Sequence, residues 1–76
     1  MKHFKLNQRV KVAPENDNDC YNSFRDDILI ITNVAKNKDE HPGYDSSLNG
    51  QYLYDLKTIS GKDVYSSLYD YELVHA

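Results

Sequence analysis

The sequence lacks the features of secreted and membrane proteins. It has one cysteine, Cys20, so an intrachain disulfide is excluded and a reducing compartment is favoured. Its longest apolar run, residues 28–31, has 4 residues, far short of the roughly 20 that cross a membrane. The N-terminal segment has no apolar core of a secretory signal. We therefore expect a cytoplasmic protein, with residues 1–76 forming a single domain.

A basic patch is also missing. The chain has 9 Lys and Arg against 12 Asp and Glu, which gives a net charge of −3. Nucleic-acid binding usually depends on basic side chains that neutralise phosphates, so we do not expect a nucleic-acid partner. That alternative would require the convergence of several basic residues on one face: Arg9, Lys11, Arg25, Lys36, Lys38, Lys57 and Lys62.

Short apolar stretches separated by turn residues predict strands. Residues 9–12 alternate, and they follow Asn7, which tolerates the left-handed conformation of a tight turn. Residues 28–36 are apolar and β-branched, which indicates a buried second strand with Ile30 in the core. Further strands are predicted at residues 51–59, 64–67 and 72–74.

Two long polar loops, residues 13–27 and 37–50, interrupt these strands. A single helical turn is predicted at residues 68–72, and no stretch has the period of an amphipathic helix. The pattern predicts an all-β fold, a five-stranded antiparallel barrel with two long loops and one short 3₁₀ turn near the C-terminus.

The stretch SLYDYEL at residues 67–73 resembles, in composition, the Ala-Leu-Tyr-Asp-Tyr signature of the Src-homology-3 domain. The order of strand, tight turn, short strand, helical turn and last strand also resembles the second half of that barrel. The resemblance implies that Leu68 plugs the barrel end, that Tyr71 covers it and that Leu73 returns to the core. It does not imply a proline-rich ligand, because the chain has no Trp for the peptide groove of that family.

Tyrosine is the unusual abundance, with 7 residues. We expect three to fill or cap the core, namely Tyr54, Tyr65 and Tyr71. We expect three to be more exposed, namely Tyr21, Tyr44 and Tyr69, the last lying between an inward Leu68 and a solvated Asp70. In the fold that the chain resembles, both long loops and the helical turn lie towards one side. The predicted partner site is therefore aromatic and acidic, and comprises Tyr21, Phe24, Tyr44, Tyr69, Asp17, Asp19 and Asp45.

These features favour a non-catalytic interaction module that binds a protein partner or a second copy of itself. Tyrosine is enriched at interfaces because it offers a large apolar face and a polar tip. An acidic border favours a basic partner. No motif for a cofactor is present, so none is expected.

Metal sites are not expected either. Glu15, Asp17, Asp19 and Asp26 have the outline of a calcium loop, but Cys20 stands where such a loop needs glycine. The carboxylates next to His41 lie in a Pro-Gly loop, which is typical of a solvated turn. Cys20 has no activating neighbour.

One enzyme alternative remains. Plasmid-borne type II dihydrofolate reductase is similar in length and in the type of barrel, and its active strand reads Val-Gln-Ile-Tyr. The matching segment, residues 64–67, reads Val-Tyr-Ser-Ser and lacks the Gln and the Tyr at their places. A small oligomeric enzyme is therefore less favoured than an interaction module.

Overall fold

The computed structural model describes residues 3–48, 50–64 and 66–76 and consists mainly of strands. These are β1 Arg9–Val12, β2 Leu29–Ala35, β3 Leu53–Thr58, β4 Leu68–Tyr69 and β5 Leu73–His75. Three short 3₁₀ turns lie at Asp19–Tyr21, Ser46–Leu48 and Asp70–Glu72. The prediction of an all-β chain with five strands and a 3₁₀ turn before the last strand is confirmed. Among the described residues, no helix is long and apolar enough to cross a membrane.

All strand pairs are antiparallel and form one sheet in the order β4-β3-β2-β1-β5. The first and last strands are neighbours, with Val12 opposite Leu73. The N–H of Ala13 donates to the carbonyl of Glu72 at 2.9 Å, which extends this contact past the end of β1. Within the described ranges, β4 and β5 are the two edges and do not pair with each other, so the sheet is open.

The turn before β1 forms where the sequence predicts it. Asn7 has a φ of 68°, in the left-handed region that asparagine tolerates better than most residues. Its N–H donates to the carbonyl of Ile31 at 2.8 Å, and the N–H of Ile31 donates to the carbonyl of Gln8 at 3.1 Å. These bonds continue the β1–β2 ladder beyond Arg9, and Phe4, which precedes the turn, is buried.

The main core lies on one face of the sheet. Its largest fully buried side chains are Tyr54, Leu29, Ile31, Leu68 and Val10. Leu68 and Leu73 both point into this core, as the resemblance implied. Because Leu68 lies on β4 and Leu73 on β5, the core joins the two edges of the open sheet.

The prediction that Ile30 belongs to the core is wrong by one position. Leu29 and Ile31 are fully buried, whereas Ile30 is only half-buried. Ile30 pairs with Arg9 on one side and with Lys57 on the other, so this row of side chains points away from the core. The apolar run 28–31 contains no polar residue that would mark its outward face. The pairing of Ile30 with two basic residues on the neighbouring strands determines which face is inward instead.

A second, smaller apolar cluster lies on the opposite face of β3. It contains Ala35, Tyr44 and Leu53, and Tyr69 packs against it. Leu53 and its neighbour Tyr54 are both buried, so β3 is covered on both faces at this point. The loop 37–50 supplies that cover by packing on the sheet.

The fourth strand begins later than predicted. It was expected at residues 64–67, but β4 is Leu68–Tyr69 and pairs with the start of β3. Before it, Asp63 makes only a single bridge to Lys57. Tyr65, which was expected to fill the core, lies outside the described residues.

The alternation on β2 leads to a paired stability prediction. Ile31→Ala should cost about 2–5 kcal/mol, because it removes a fully buried side chain and leaves a cavity. That is a large share of a total stability of about 4–11 kcal/mol expected from the usual per-residue range. The matched control, Ile30→Ala, should cost about 1 kcal/mol or less, since that side chain is half solvated. Urea unfolding of both variants checks this, and equal losses would contradict the assigned inward face of β2.

Candidate functional site

The 3₁₀ turn Asp70–Glu72, called the DYE turn below, connects β4 to β5 and buries two carboxylates. Asp70 is 4% exposed and Glu72 is 9% exposed, whereas Tyr71 between them is 61% exposed. The expectations that Asp70 is solvated and that Tyr71 covers the core are therefore both wrong. A buried carboxylate is costly unless hydrogen bonds compensate it, so the partners of these two side chains define the region.

The Asp70 carboxylate accepts hydrogen bonds from separate parts of the chain. The N–H of Tyr52 donates to it at 2.7 Å, and the hydroxyl of Tyr54 donates to its other oxygen. The Nδ1 of His3 lies 2.8 Å from Asp70, and the His3 ring stacks on Tyr52 with the centroids 3.7 Å apart. The Tyr54 oxygen in turn accepts the N–H of Phe4 at 2.8 Å. Asp70 thus joins the N-terminal segment to β3.

Glu72 makes an equivalent connection to the first long loop, residues 13–27. The hydroxyl of Tyr21 donates to its Oε2 at 2.8 Å, and the side-chain amide of Asn16 donates to the same oxygen at 3.4 Å. Its Oε1 accepts the N–H of Tyr69 at 3.0 Å. Among the described residues, neither buried carboxylate has a Lys or Arg nitrogen within 4.0 Å. Neutral hydrogen-bond donors therefore supply most of the compensation.

Three tyrosine rings form a row from the loop 37–50 to the DYE turn. We call Tyr44, Tyr69 and Tyr71 the aromatic ridge. Tyr44 meets Tyr69 edge to face with centroids 5.7 Å apart, and Tyr69 lies nearly parallel to Tyr71 at 6.2 Å. The hydroxyl of Tyr69 accepts the N–H of Asp45 at 2.8 Å. The ridge is buried at Tyr44 and ends in solvent at Tyr71.

The three predicted aspartates, Asp17, Asp19 and Asp45, are exposed. Asp45 directly follows Tyr44 in the ridge, and Asp17 and Asp19 lie in the stretch of the first loop that binds Glu72. The hydroxyl and the N–H of Ser47 donate to the Asp45 carboxylate at 2.7 and 2.9 Å. These bonds lower the pKa of Asp45, so it is charged at neutral pH.

The expected exposure of Tyr21 and Tyr44 is wrong. Tyr21 is 8% exposed and Tyr44 is 5% exposed, because each hydroxyl reaches an internal acceptor and lets the ring be buried. For Tyr44 the hydroxyl lies 2.5 Å from the carbonyl oxygen of Gln51 and 3.1 Å from that of Leu48. Phe24 is also buried; it packs on Tyr21 and lines a cavity of about 70 Å³. Of the four predicted aromatic residues, only Tyr69 is partly exposed, whereas Tyr71, which was expected to cover the core, is 61% exposed.

His41, Asp55 and Ser67 meet beneath the loop 37–50, but not in the arrangement of a nucleophilic triad. The Nε2 of His41 lies 3.1 Å from Asp55 Oδ1 and 3.2 Å from Ser67 Oγ. The N–H of Gly43 donates to Nδ1 at 2.9 Å, so Nδ1 carries no proton and Nε2 must be the protonated nitrogen. A catalytic base instead accepts the serine proton on one nitrogen and donates from the other to the carboxylate.

The hydroxyl of Ser67 donates to Asp55 Oδ1 at 2.6 Å, which completes this polar cluster. Burial raises the pKa of Asp55, but the hydrogen bonds from Ser67 and His41 outweigh burial and leave that pKa below its usual value. The cluster therefore fastens the loop 37–50 to β3. The carboxylates next to His41 in the sequence did not indicate this cluster, because His41, Asp55 and Ser67 come from three separate segments.

The basic residues are divided between surfaces. Arg9 and Lys57 flank Ile30 on the outward face of the sheet, and Lys11 is exposed two residues after Arg9 on β1. Lys36 lies elsewhere, with its ammonium 5.9 Å from the ring centroid of Tyr52. Among the described residues, no group of three His, Cys, Asp or Glu side chains could hold a metal ion.

No family model, no curated protein and no solved structure matches this chain.

The two buried tyrosine–carboxylate bonds predict a loss of stability at alkaline pH. Burial, together with the hydrogen bonds to Glu72 and Asp70, raises the pKa of Tyr21 and of Tyr54 well above the ordinary value. Both residues keep their protons in the folded state after the unfolded chain has lost them, above a pH of about 10. The stability that these two tyrosines contribute should therefore be fully present below a pH of about 10. Above it, the free energy of unfolding should fall by about 1.4 kcal/mol per pH unit for each tyrosine.

Urea unfolding between pH of about 9 and 11 measures this slope. Tyr54→Phe and Tyr21→Phe should be less stable at neutral pH, yet each should show a shallower alkaline slope because one titrating proton is gone. If the wild type and both variants lose stability equally with pH, the raised pKa values assigned to these tyrosines are wrong.

Proposed function

We propose that this chain is a small non-catalytic interaction module of the cytoplasm that binds a basic segment of a protein partner. The binding surface is the exposed part of the aromatic ridge, with Asp17, Asp19 and Asp45 at its border. The observation that carries the proposal is Tyr71, which is 61% exposed on a turn whose flanking side chains are buried. Large exposed aromatic residues are frequent anchors of protein interfaces.

The proposed fold type is a small barrel of the Src-homology-3 kind. The last strand beside the first supports it, as does a 3₁₀ turn that links the two edge strands. The contacts of His3 and Phe4 with Asp70 and Tyr54 bring the N-terminal segment across the end of the core. In such a barrel the two long loops flank the turn, which agrees with the bonds from Tyr21 and Asp45 to the turn and the ridge.

Rigidity supports the role of Tyr71 as an anchor. The flanking carboxylates are held by tyrosine hydroxyls and backbone N–H groups, and the N–H of Tyr71 donates to Gln51 Oε1 at 3.3 Å. A side chain presented on a fixed backbone loses less entropy when it binds. The neighbouring ring of Tyr69 is fixed as well, through its bond from Asp45.

Charge supports a basic partner. Asp45 is ionised at neutral pH, and Asp17 and Asp19 add two exposed carboxylates on the other side of the DYE turn. The faces of tyrosine rings also attract Arg and Lys side chains. A partner segment with an apolar residue next to basic residues could contact the tyrosine rings and the aspartates at the same time. Because the charged contacts are exposed, added salt should weaken its binding.

The enzyme alternative has less support. The hydroxyl of Ser67 donates a hydrogen bond to Asp55, and His41 accepts the N–H of Gly43 on Nδ1, so His41 is not arranged to take the serine proton as a catalytic histidine does. The segment compared with the reductase strand, residues 64–67, precedes β4 instead of forming it. Both observations favour binding over catalysis.

The test is affinity capture from the native host, followed by a measured dissociation constant for the partner that is captured. Tyr71→Ala should weaken binding by about 1–2 kcal/mol, or roughly five- to thirty-fold, since it removes the anchor. Its melting temperature should hardly change, because surface substitutions usually stay within about 0.5 kcal/mol. Ile59→Ala is the matched control, as Ile59 is 50% exposed but follows the last residue of β3, at the opposite end from Leu53, which pairs with Tyr69.

Tyr44→Ala distinguishes a tyrosine that stabilises the fold from one that contacts the partner. It should lower the melting temperature because Tyr44 is buried in the second cluster, whereas Tyr71→Ala should not. Partners retained at full affinity by Tyr71→Ala would show that the aromatic ridge is not the binding surface. Equal losses of affinity in Tyr71→Ala and Ile59→Ala would lead to the same conclusion.

A further inference from the structure

A second exposed surface carries the opposite charge to the surface around Tyr71. Arg9, Lys11 and Lys57 point outward from β1 and β3, with Ile30 between Arg9 and Lys57. Within the described ranges, none of the three cations has a carboxylate oxygen within 4.0 Å. We call this surface the basic face. Asp63 is paired with Lys57 by a backbone β-bridge and so adds an acidic residue next to that end of the face, whereas Arg9 and Lys11 lie together on β1 at the other end.

A depression of about 300 Å³ adjoins the Lys11 end of the basic face. It is lined by Lys11, Val12, Pro14, Arg25 and Asp26. The guanidinium of Arg25 is fixed by the carbonyls of Asn16 and Asn18, so the cationic wall is already ordered. A concave site with apolar walls, two cations and the Asp26 carboxylate suits a tyrosine, since its ring binds cations over its face and its hydroxyl can donate to a carboxylate.

We propose that this depression receives Tyr71 from a second copy of the chain, so that the basic face of one copy binds the DYE turn of another. The inference rests on the proposed function, because it names the partner of the same aromatic surface. Asp17 and Asp19, which flank the DYE turn through the first loop, then approach Arg9 and Lys11 of the other copy. Asp26 in the depression can accept the Tyr71 hydroxyl.

The position of the two surfaces favours a closed dimer. Val12, which lines the depression, pairs with Leu73, and Ala13 bonds to Glu72 of the DYE turn. The projecting ring and the cavity that it would fill therefore adjoin one another on each molecule. A two-fold axis can then form the same contact twice, which is the usual symmetry of homodimers.

The charges and the small buried area of the proposed interface determine the expected affinity of the dimer. Acidic groups meet basic groups in each half of the dimer, so association should weaken with added salt. One ring and a few charges on each side bury a small area, and interfaces below about 1,200 Å² are typically weak. The dimer should therefore be populated only at high protein concentration and low ionic strength.

Sedimentation of the purified full chain tests the proposal. At low salt the average mass should rise from one chain towards two as concentration increases, and about 0.5 M salt should return it to one chain. Lys11→Glu and Tyr71→Ala should each weaken dimerisation at least ten-fold. Lys62→Glu, which makes the same charge change on the β3–β4 connection, should leave it within two-fold of the wild type.

A mixing experiment is the sharpest test. Lys11→Glu keeps Tyr71 but reverses a charge in the lining of the depression, whereas Tyr71→Ala keeps the depression but lacks the ring. Each alone should be monomeric at concentrations where their mixture still forms a heterodimer through the one intact contact. A wild type that stays monomeric at millimolar concentration, or a Lys11→Glu variant that dimerises as the wild type does, would overturn the proposal.

Failure of the proposed dimer can be distinguished from failure of the proposed function. Lys11→Glu leaves the aromatic ridge unchanged, so it should still capture other basic partners through Tyr71. A monomeric wild type whose partner capture depends on Tyr71 would refute only the dimer. A dimer that is unaffected by Tyr71→Ala would refute the docking of the ring proposed here, whatever other partners are found.

Discussion

Burial of the Asp70 and Glu72 carboxylates is the constraint on which the rest of the structure depends. Taking an ionised carboxylate out of water costs several kcal/mol unless donors replace the lost hydration. The donors here are tyrosine hydroxyls, backbone N–H groups, the side-chain amide of Asn16 and one histidine. Loss of a single donor leaves a buried acceptor unsatisfied, which costs more than the net value of one hydrogen bond.

Those donors come from distant parts of the chain, so the two carboxylates also fix its topology. His3 and Tyr21 lie 67 and 51 residues from their partners. The first loop cannot leave the sheet without exposing Glu72, and the N-terminal segment cannot leave without removing a partner from Asp70. In a chain of 76 residues with a small apolar core, such polar links contribute what a larger core would otherwise supply.

The sequence predicted local features well where a single residue type decides the conformation. Asn7 signalled its turn, and the alternation in residues 9–12 gave β1 its correct bounds. The run 28–31 gave a strand but not its inward face, because every residue in it is apolar and only the pairing of Ile30 with Arg9 and Lys57 turns it outward. The late start of β4 also depends on pairing, since Val64–Leu56 and Lys57–Asp63 contacts precede it without forming a strand.

Burial of the individual aromatic residues was harder to predict from the sequence than the position of the loops that carry them. The two loops and the turn do meet, yet the exposure of individual tyrosines was misjudged at Tyr21, Tyr44 and Tyr71. Whether a tyrosine is buried depends on an acceptor for its hydroxyl, and Glu72 is too distant in sequence from Tyr21 to appear in any local pattern. A buried Asp is rare enough that Asp70 suggested a solvated position instead.

The geometry of a 3₁₀ turn explains why the same three residues serve both stability and surface. With three residues per turn, successive side chains point about 120° apart, so three neighbours cannot share one direction. Asp70 points to β3 and the N-terminal segment, and Glu72 points to the first loop. The remaining direction leads to solvent, and Tyr71 must take it. The exposed ring is therefore a direct consequence of burying two carboxylates on either side of it, and its identity can change without disturbing the bonds that hold the fold.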